Sequence, residues 1–444
     1  MTKIPFSPVD LIREAFHYQS RFDGSTMVFK IDFPVTEDPA FSYLMKDLAL
    51  LARIGFRVVI VPGAKERIDA VLREYRIVSQ YQKETRITTA KAIPFVEMAA
   101  FDVATRFITG LSANRVDAVI GNFVRARGLG VCEGLDMEHT GTVDRIRTES
   151  IERVIKLGMV PILPCIGWSP SGKPYNVPSD EIALAASGAL GAVKLFIISV
   201  SEGLRTGAYA VPKHLEVDSA DRIVRLTPQE AEAILETNVF LQGLGAQDQA
   251  LQELRLALQA SQAGVERVHI IDGREEGAVL RELFSNLGVG TMVYADEYEA
   301  IRPLKTADIP GILRLMEPLV RQGNLVRRTA EQIQEKLADY VVFAIDGSVH
   351  ACGALHYWGE GQAEIAAVAT DPGYTDIGLG RRIVRCLIER AVKQELHRVF
   401  VLTTHTHDWF ESLGFTECSV ESLPECRRKV YDHKRRSKIF ALDL

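Results

Sequence analysis

A chain of 444 residues is longer than one ordinary hydrophobic core supports, so two or three domains are expected. Its formal net charge of -6 gives no global pull toward nucleic acid or an anionic membrane surface. The six cysteines are scattered without a C-x-x-C pair, which argues against a disulfide or zinc framework and for the reduced thiols of a cytoplasmic protein.

The start, MTKIPFSPVDLIREAF, has no charged-then-apolar signal pattern, and no later segment reads as a membrane span. Leu11, Ile12, Ala15, Phe16 and Phe22 predict an opening helix, followed by a strand over 26–31. Strands and helices then alternate. Phe41, Leu44, Leu48, Leu51 and Ala52 line one helix face, and Ile68, Val71, Leu72 and Tyr75 line the next, with a strand at 58–61 between them. Further strands are expected at 116–120, 160–164, 194–199 and 267–271. Nearly continuous apolar strands separated by helices predict a mainly parallel sheet covered on both faces. Val279, Leu280, Leu283 and Phe284 make an amphipathic helix ended by Gly288. Asn176, Asp180 and Glu181 fit a loop and a helix N-cap.

Glu299-Ala300-Ile301-Arg302-Pro303 is the expected joint between domains at 1–297 and 298–444. Beyond it come a helix bearing Ile312, Leu315, Met316 and Leu319, and a Thr329/Gln332 capping box opening a helix that continues through Leu337. A hairpin is predicted over 340–345 and 349–357, turned by Asp346-Gly347. The next strand, from Glu364, is built of small residues (Ala366, Ala367, Val368, Ala369), and simple alternation puts Ile365, Ala367 and Ala369 on one face. Asp376-Ile377-Gly378-Leu379-Gly380-Arg381-Arg382 then leads into a helix whose apolar face is Ile383, Leu387, Ile388 and Ala391. Glycines ahead of a helix let backbone N–H groups converge where the dipole favours an anion. Arginines in the first turn invert the usual preference for acids and suit a phosphate, although a lone G-x-G serves packing about as often. A strand at 399–403, a short helix at 408–413 ended by Gly414, and a final strand close the chain. His405-x-His407-Asp408 lacks a second ligand cluster and is read as loop and helix cap, so no metal is expected.

The small-residue strand, glycine turn and basic helix start resemble the GNAT acetyltransferase superfamily, which holds the pyrophosphate of acetyl-CoA there. Thr375 stands where those proteins usually carry Arg or Gln. The first domain resembles the amino-acid kinase family, particularly acetylglutamate kinase. Those kinases hold phosphates with Lys-x-Gly-Gly and Gly-Gly-Gly turns, whereas this chain reads Lys30-Ile31-Asp32-Phe33 and Val61-Pro62-Gly63-Ala64-Lys65. Asp32 and the Cβ atoms at 32, 33 and 64 work against a triphosphate. Added to these, GNFVRARGLGV (121–131), His139-Thr140-Gly141, YNVPSDEIA (175–183), LVRRT, EIAAVAT, VFVLTTHTHDWFESLGF and RRSKIF together resemble the two-domain bacterial N-acetylglutamate synthases over essentially the whole chain.

That resemblance implies an α/β chain: an amino-acid-kinase-like three-layer domain, catalytically degenerate and serving regulation and oligomerisation, followed by a GNAT domain. It implies acetyl transfer from acetyl-CoA to the α-amino group of L-glutamate by direct attack in a ternary complex, the first step of arginine biosynthesis. Acetyl-CoA is a co-substrate and no cofactor is expected. A homo-oligomer, possibly a hexamer, and feedback by L-arginine are expected, with no nucleic-acid or membrane partner. Glu364 is the expected base, Thr403 the proton donor to the thiolate, and the N–H groups of Ala367 and Val368 the oxyanion donors. Acetyl-CoA falls to Ala366, Ala367, Val368, Asp376, Ile377, Gly378, Leu379, Gly380 and Arg381. Arg327, Arg435, Ser437 and the Leu325 backbone match the glutamate-binding positions. The opening helix with Tyr18 matches an oligomerising helix, and Glu282 with Tyr18, Gly288, Gly290 and Thr291 the arginine-binding segment. A bifunctional synthase and kinase, a non-catalytic arginine-sensing and CoA-binding module, and acetylation of another amine are the alternatives.

Overall fold

The computed structural model describes residues 22, 24–82, 85–201, 203–212, 215, 217, 221–238, 248–284, 289–294, 299–345, 348–371, 379–404, 407–433, 435 and 437–444. They form two compact units, one over the described residues up to 294 and the other from 299 onward. The predicted opening helix before Phe22, the Asp346-Gly347 turn and the 372–378 loop lie outside them.

In the first unit, eight described strands build one sheet: β1 (Thr26–Ile31), β2 (Arg57–Pro62), β3 (Ala118–Ile120), β4 (Val160–Ile162), β5 (Lys194–Ser199), β6 (Arg225–Leu226), β7 (Arg267–Asp272) and β8 (Thr291–Tyr294). Their order is β6-β8-β7-β5-β1-β2-β4-β3. All neighbours run parallel except β7 and β8. Residues 26–31 are buried throughout, as expected for a strand covered on both faces. Strand alternation divides them between two cores. Met27, Phe29 and Ile31 pack with Leu44 and Leu48 of α1 (Phe41–Arg53), and with Val96, Val103 and Phe107. Val28 packs on the opposite face with Ile182, Ala183, Ile197 and Leu254. Alternation therefore sends Lys30 to that second face, above which α2 (Lys65–Glu74), α3 (Ser179–Ala189) and α4 (Gln249–Gln262) bound a cavity of about 500 Å³.

In the second unit the described strands are β9 (Glu299–Pro303), β10 (Tyr340–Ile345), β11 (Ser348–Gly359), β12 (Gln362–Thr370), β13 (Arg398–Thr403), β14 (Thr416–Cys418) and β15 (Lys438–Asp443). They follow the order β9-β10-β11-β12-β13-β15-β14. The Thr329/Gln332 capping box is present, but its helix ends at Glu335, and a separate 3-10 turn (Leu337–Asp339) carries the chain into β10. One face of the sheet packs on α5 (Leu379–Lys393) through Ile365, Ile383, Leu387 and Val401. The other packs on helix Ile309–Arg321 through Ile312, Met316, Val342 and Ala354.

Two irregularities organise this unit. The parallel pair β12/β13 is short: Gln362, Ala363 and Glu364 face Arg398, Val399 and Phe400, and the ladder stops there. Among the described residues, 365–370 of β12 thus have no strand partner on that side, while β13 continues to pair with β15. On the other side, the β11/β12 register slips between Cys352/Ala369 and Ala354/Ala366, and Ala367 takes a positive φ of 53°. This is a β-bulge, with one extra residue in β12. It corrects the expected alternation: Ile365 faces α5, whereas Ala367 and Ala369 face the opposite core.

Candidate active site

Glu364 is the last residue of β12 to pair with β13, so its side chain stands where the two strands part. It is only 9% exposed and is no strand-edge acid in solvent. Arg427, on a short helical turn (Glu425–Arg428), donates from Nε to Glu364 Oε2 at 2.7 Å and from Nη2 to Oε1 at 3.3 Å. The Trp358 indole donates to the same Oε2 at 3.0 Å, and its ring lies 5.2 Å from the Arg427 guanidinium carbon. Oε2 thus accepts two bonds and Oε1 one longer bond, leaving Oε1 the freer atom. A charged pair withdrawn from water needs this degree of satisfaction to persist.

Across β11, His356 sits opposite Glu364 and bonds Asp339 at 2.7 Å. Burial lowers the His356 pKa, so its imidazole is neutral near pH 7. Arg435 ties the last segment inward, Nη2 donating to the carbonyls of Gly323 (3.2 Å) and Asn324 (2.7 Å), just before Leu325. Its pKa is lowered by burial and by the like charge of Arg328, while Asp432 and Glu364 act in the opposite sense. Ser437 is buried, its carbonyl accepting from the Tyr431 hydroxyl at 2.7 Å. Arg327 behaves differently: its side chain is 73% exposed and reaches Glu317 at 3.4 Å. Its neighbour Arg328 is the one close enough to act electrostatically on Tyr340, Cys352, His356 and Arg435.

The other residues expected around the acyl donor fall as follows. Ala367 and Val368 form the bulge, and the Ala367 carbonyl accepts from Cys352 Sγ at 3.4 Å. Thr403 is buried at the end of β13, paired in register with Lys438. Leu379, Gly380 and Arg381 open α5, Leu379 in the core and Arg381 exposed; Thr375, Asp376, Ile377 and Gly378 lie outside the described residues. His405 also lies outside them, and His407 is engaged by Asp408 at 3.1 Å. Among the described residues no cluster of His, Cys, Asp and Glu is placed to hold a metal ion.

Trp358, Arg427 and Arg328 carry weight that sequence reading missed. Trp358 had a signal: it precedes Glu364 across the tight turn of one hairpin. Arg428 and Lys429 beside Arg427 are charged alike, so nothing local singles out the inward-facing one.

In the first unit, Lys30 is buried and its ammonium is shared by Asp32 (2.8 Å) and Asp180 (3.0 Å). Burial opposes its charge, but the two carboxylates outweigh that and raise its pKa. Asp180 is accordingly no helix cap, and Glu181 accepts from the Val143 N–H at 2.7 Å and from the Thr142 hydroxyl. A Cβ at Gly63 would lie 2.5 Å from Asp32 Oδ1, so the Asp32 carboxylate covers the backbone that a phosphate would approach. Glu282 is buried on helix Ala278–Phe284; Oε1 meets His269 Nδ1 at 2.7 Å and Oε2 accepts the Val289 N–H at 2.8 Å. Its pKa is lowered: burial acts to raise it, and the bond from His269, followed by Val289 and Lys194, prevails. His269, stacked on Phe196, is itself lowered to about 4, chiefly by burial. Thr291 is fully buried and donates to the Ile223 carbonyl at 2.6 Å, and Gly290 packs so closely on the Ile270 carbonyl that no Cβ fits. Tyr18 and Gly288 lie outside the described residues.

Two family models match the chain: the amino acid kinase family over residues 32–272 and the acetyltransferase (GNAT) family over 313–415. Amino-acid acetyltransferases from Pasteurella multocida and Escherichia coli K12 are each 33% identical to it. The first match covers 97% of this chain and 96% of that protein, and the second 98% of each. The chain belongs to the amino-acid acetyltransferase family. It is an acyltransferase with a kinase-like domain followed by a GNAT domain. Among solved structures, N-acetylglutamate synthase from Neisseria gonorrhoeae complexed with coenzyme A and L-arginine superposes with a TM-score of 0.83. It is 29% identical, and the match covers 99% of both chains. The same enzyme complexed with coenzyme A and N-acetyl-glutamate gives 0.60 at 30% identity, again covering 99% of both chains.

Proposed function

We propose that this amino-acid acetyltransferase is an N-acetylglutamate synthase, moving acetyl from acetyl-CoA to the α-amino group of L-glutamate by direct attack in a ternary complex. The observation that carries this is the parting of β12 and β13 at Glu364, beside an inward-facing cluster of Trp358, Arg427 and Arg435. The gap beyond Glu364 offers backbone to a thioester, and Arg435 beside it, whose bonds in this structure go to carbonyls and not to a carboxylate, suits an acidic acceptor. The Neisseria enzyme has been solved with coenzyme A and N-acetyl-glutamate, the two products of this reaction, and with coenzyme A and L-arginine, which supports the proposed reaction and an arginine site here.

A free α-amino group is mostly protonated near neutral pH. Glu364 Oε1 takes its proton, directly or through one water, while Arg427 and Trp358 hold the carboxylate in place. The amine then attacks the thioester carbonyl and forms the C–N bond. The N–H groups at Ala367 and Val368 stabilise the oxyanion; as the C–S bond breaks, the Thr403 hydroxyl gives its proton to the departing thiolate and regains one from the attacking nitrogen, which leaves a neutral amide and the CoA thiol. Residues 376–378 and the start of α5 hold the pyrophosphate. Arg435, Ser437 and the Leu325 backbone bind the acceptor, and Arg327 joins them by leaving Glu317.

The same proposal assigns the kinase-like domain to regulation and oligomerisation. Lys30, neutralised by its own aspartates, has no charge to spare for a transferred phosphoryl group. Arginine would be recognised by the acceptor capacity Glu282 retains beyond His269 and Val289. Thiol release from acetyl-CoA, measured with each amino acid in turn and without ATP, tests both halves. Glutamate-dependent release altered by arginine is expected. Release indifferent to arginine removes the regulatory half, and no release with glutamate overturns the synthase reading.

A further inference from the structure

The cavity of about 500 Å³ in the kinase-like unit lies within the range of small-ligand sites and is lined largely by charged and amide side chains. One of them is unaccounted for. Glu253 of α4 lines the cavity, is only 4% exposed, and neither of its carboxylate oxygens has a hydrogen-bond partner. Buried carboxyl oxygens are almost always partnered, because water is not there to serve them. Ser199 and Gln249 approach closely enough to offset part of the cost, without completing a hydrogen bond. The nearby cation, Lys30, is already shared by Asp32 and Asp180.

The surroundings define what is missing. Asp32 repels a charge on Glu253, and Glu66, also lining the cavity, is raised in pKa by burial and by the same Asp32. Arg86, the other buried cation in the lining, is tied to Asp69 at 2.6 Å and to Ser79 at 2.5 Å. A neutral donor would satisfy one oxygen and leave the repulsion among carboxylates untouched. An ammonium group brings three N–H donors and the positive charge together. A polyphosphate finds the glycine turn already covered by the Asp32 carboxylate.

We propose that this cavity is a binding site for a small ligand carrying a primary ammonium group, with Glu253 as its carboxylate acceptor, and not for a nucleotide. Burial holds the Glu253 pKa up near 7, so a cation arriving there displaces the proton that otherwise neutralises it. This site is independent of the acetyltransfer reaction, and its test uses no activity readout.

Isothermal titration of the full-length protein with 1,4-diaminobutane near neutral pH is the experiment. Matched runs use 1,4-butanediol, potassium chloride and magnesium ATP. The diamine is expected to bind and the diol and nucleotide not to. Heats in two buffers of different ionisation enthalpy are expected to report proton release, and Glu253→Gln to weaken binding about tenfold. Equal binding of the diol, binding of magnesium ATP, displacement of the diamine by potassium, or unchanged affinity in the folded Glu253→Gln variant would overturn the proposal. The diamine–diol comparison decides the matter on the wild-type protein if that variant does not fold.

Discussion

At the scale of single residues, the proposed acetyltransferase site centres on one carboxylate, Glu364, held by Trp358 and Arg427. Glu364→Gln keeps the shape and removes the base, so kcat is expected to fall by about 10²-fold or more with little change in KM for acetyl-CoA. Arg427→Ala removes the guanidinium that is paired with Glu364. Its loss is expected in kcat rather than KM, with partial recovery on adding guanidinium ion and almost none added to Glu364→Gln. A purely structural role for Arg427 would show no rescue and equal losses on both backgrounds. Arg435→Ala is expected to raise KM for glutamate by about tenfold or more and leave that for acetyl-CoA nearly unchanged; steady-state kinetics with each substrate varied separates these outcomes.

At the scale of elements, the bulge at Ala367 is the feature to perturb. A non-glycine residue at φ 53° is uncommon, and a β-branched side chain there is strained. Ala367→Val is expected to cost about 1–2 kcal/mol in chemical denaturation and to weaken use of acetyl-CoA, whereas Ala367→Gly retains stability to within about 1 kcal/mol. The bulge also shows why small-residue composition predicts the strand but not which residues share its faces. Composition marks β12 as able to lie against a flat ligand, but the extra residue arises from how β11 pairs with it, and period-two counting assumes no slip. The Thr329/Gln332 cap was legible because both halves of that motif sit within one turn. The end of its helix was not, since a 3-10 turn and β10 take the chain away from it.

At the scale of the whole molecule, buried titratable groups set opposing pH dependences. Glu253, raised to about 7, and Asp47, raised to about 6, bind protons in the folded state that the unfolded chain has already lost above its ordinary carboxyl pKa. Both therefore lower stability as pH rises from about 4.5 toward 7. His269, lowered to about 4, does the reverse: between about 6.5 and 4 the unfolded chain takes up a proton that the folded chain refuses, so its share of stability is lost as pH falls. Glu253→Gln abolishes the first titration. Its stability relative to wild type is expected to rise as pH increases from about 4.5 to 7, and a pH-independent difference in denaturation midpoint would contradict that burial.

The sequence alone was enough for the two-part organisation, the mainly parallel first sheet, the positions of most strands and the acetyltransferase character of the second part. The first three follow from apolar periodicity and turn chemistry and the last from the resemblance of short strings to a known family, all of them properties of neighbouring residues. Tertiary structure decided which charges face inward. Lys30 keeps its place in a kinase-like strand, yet its ammonium is spent on Asp180, 150 positions away in the chain. Arg427 and Arg435 stand in one basic stretch, RRKVYDHKRRSK, and folding turns the first onto Glu364 and the second onto the carbonyls of Gly323 and Asn324. Arg327 faces Glu317 while Arg328 acts on the interior. Adjacent residues of the same type are equivalent in sequence. Burial, which depends on partners far along the chain, leaves one at the surface in this structure and draws the other inward.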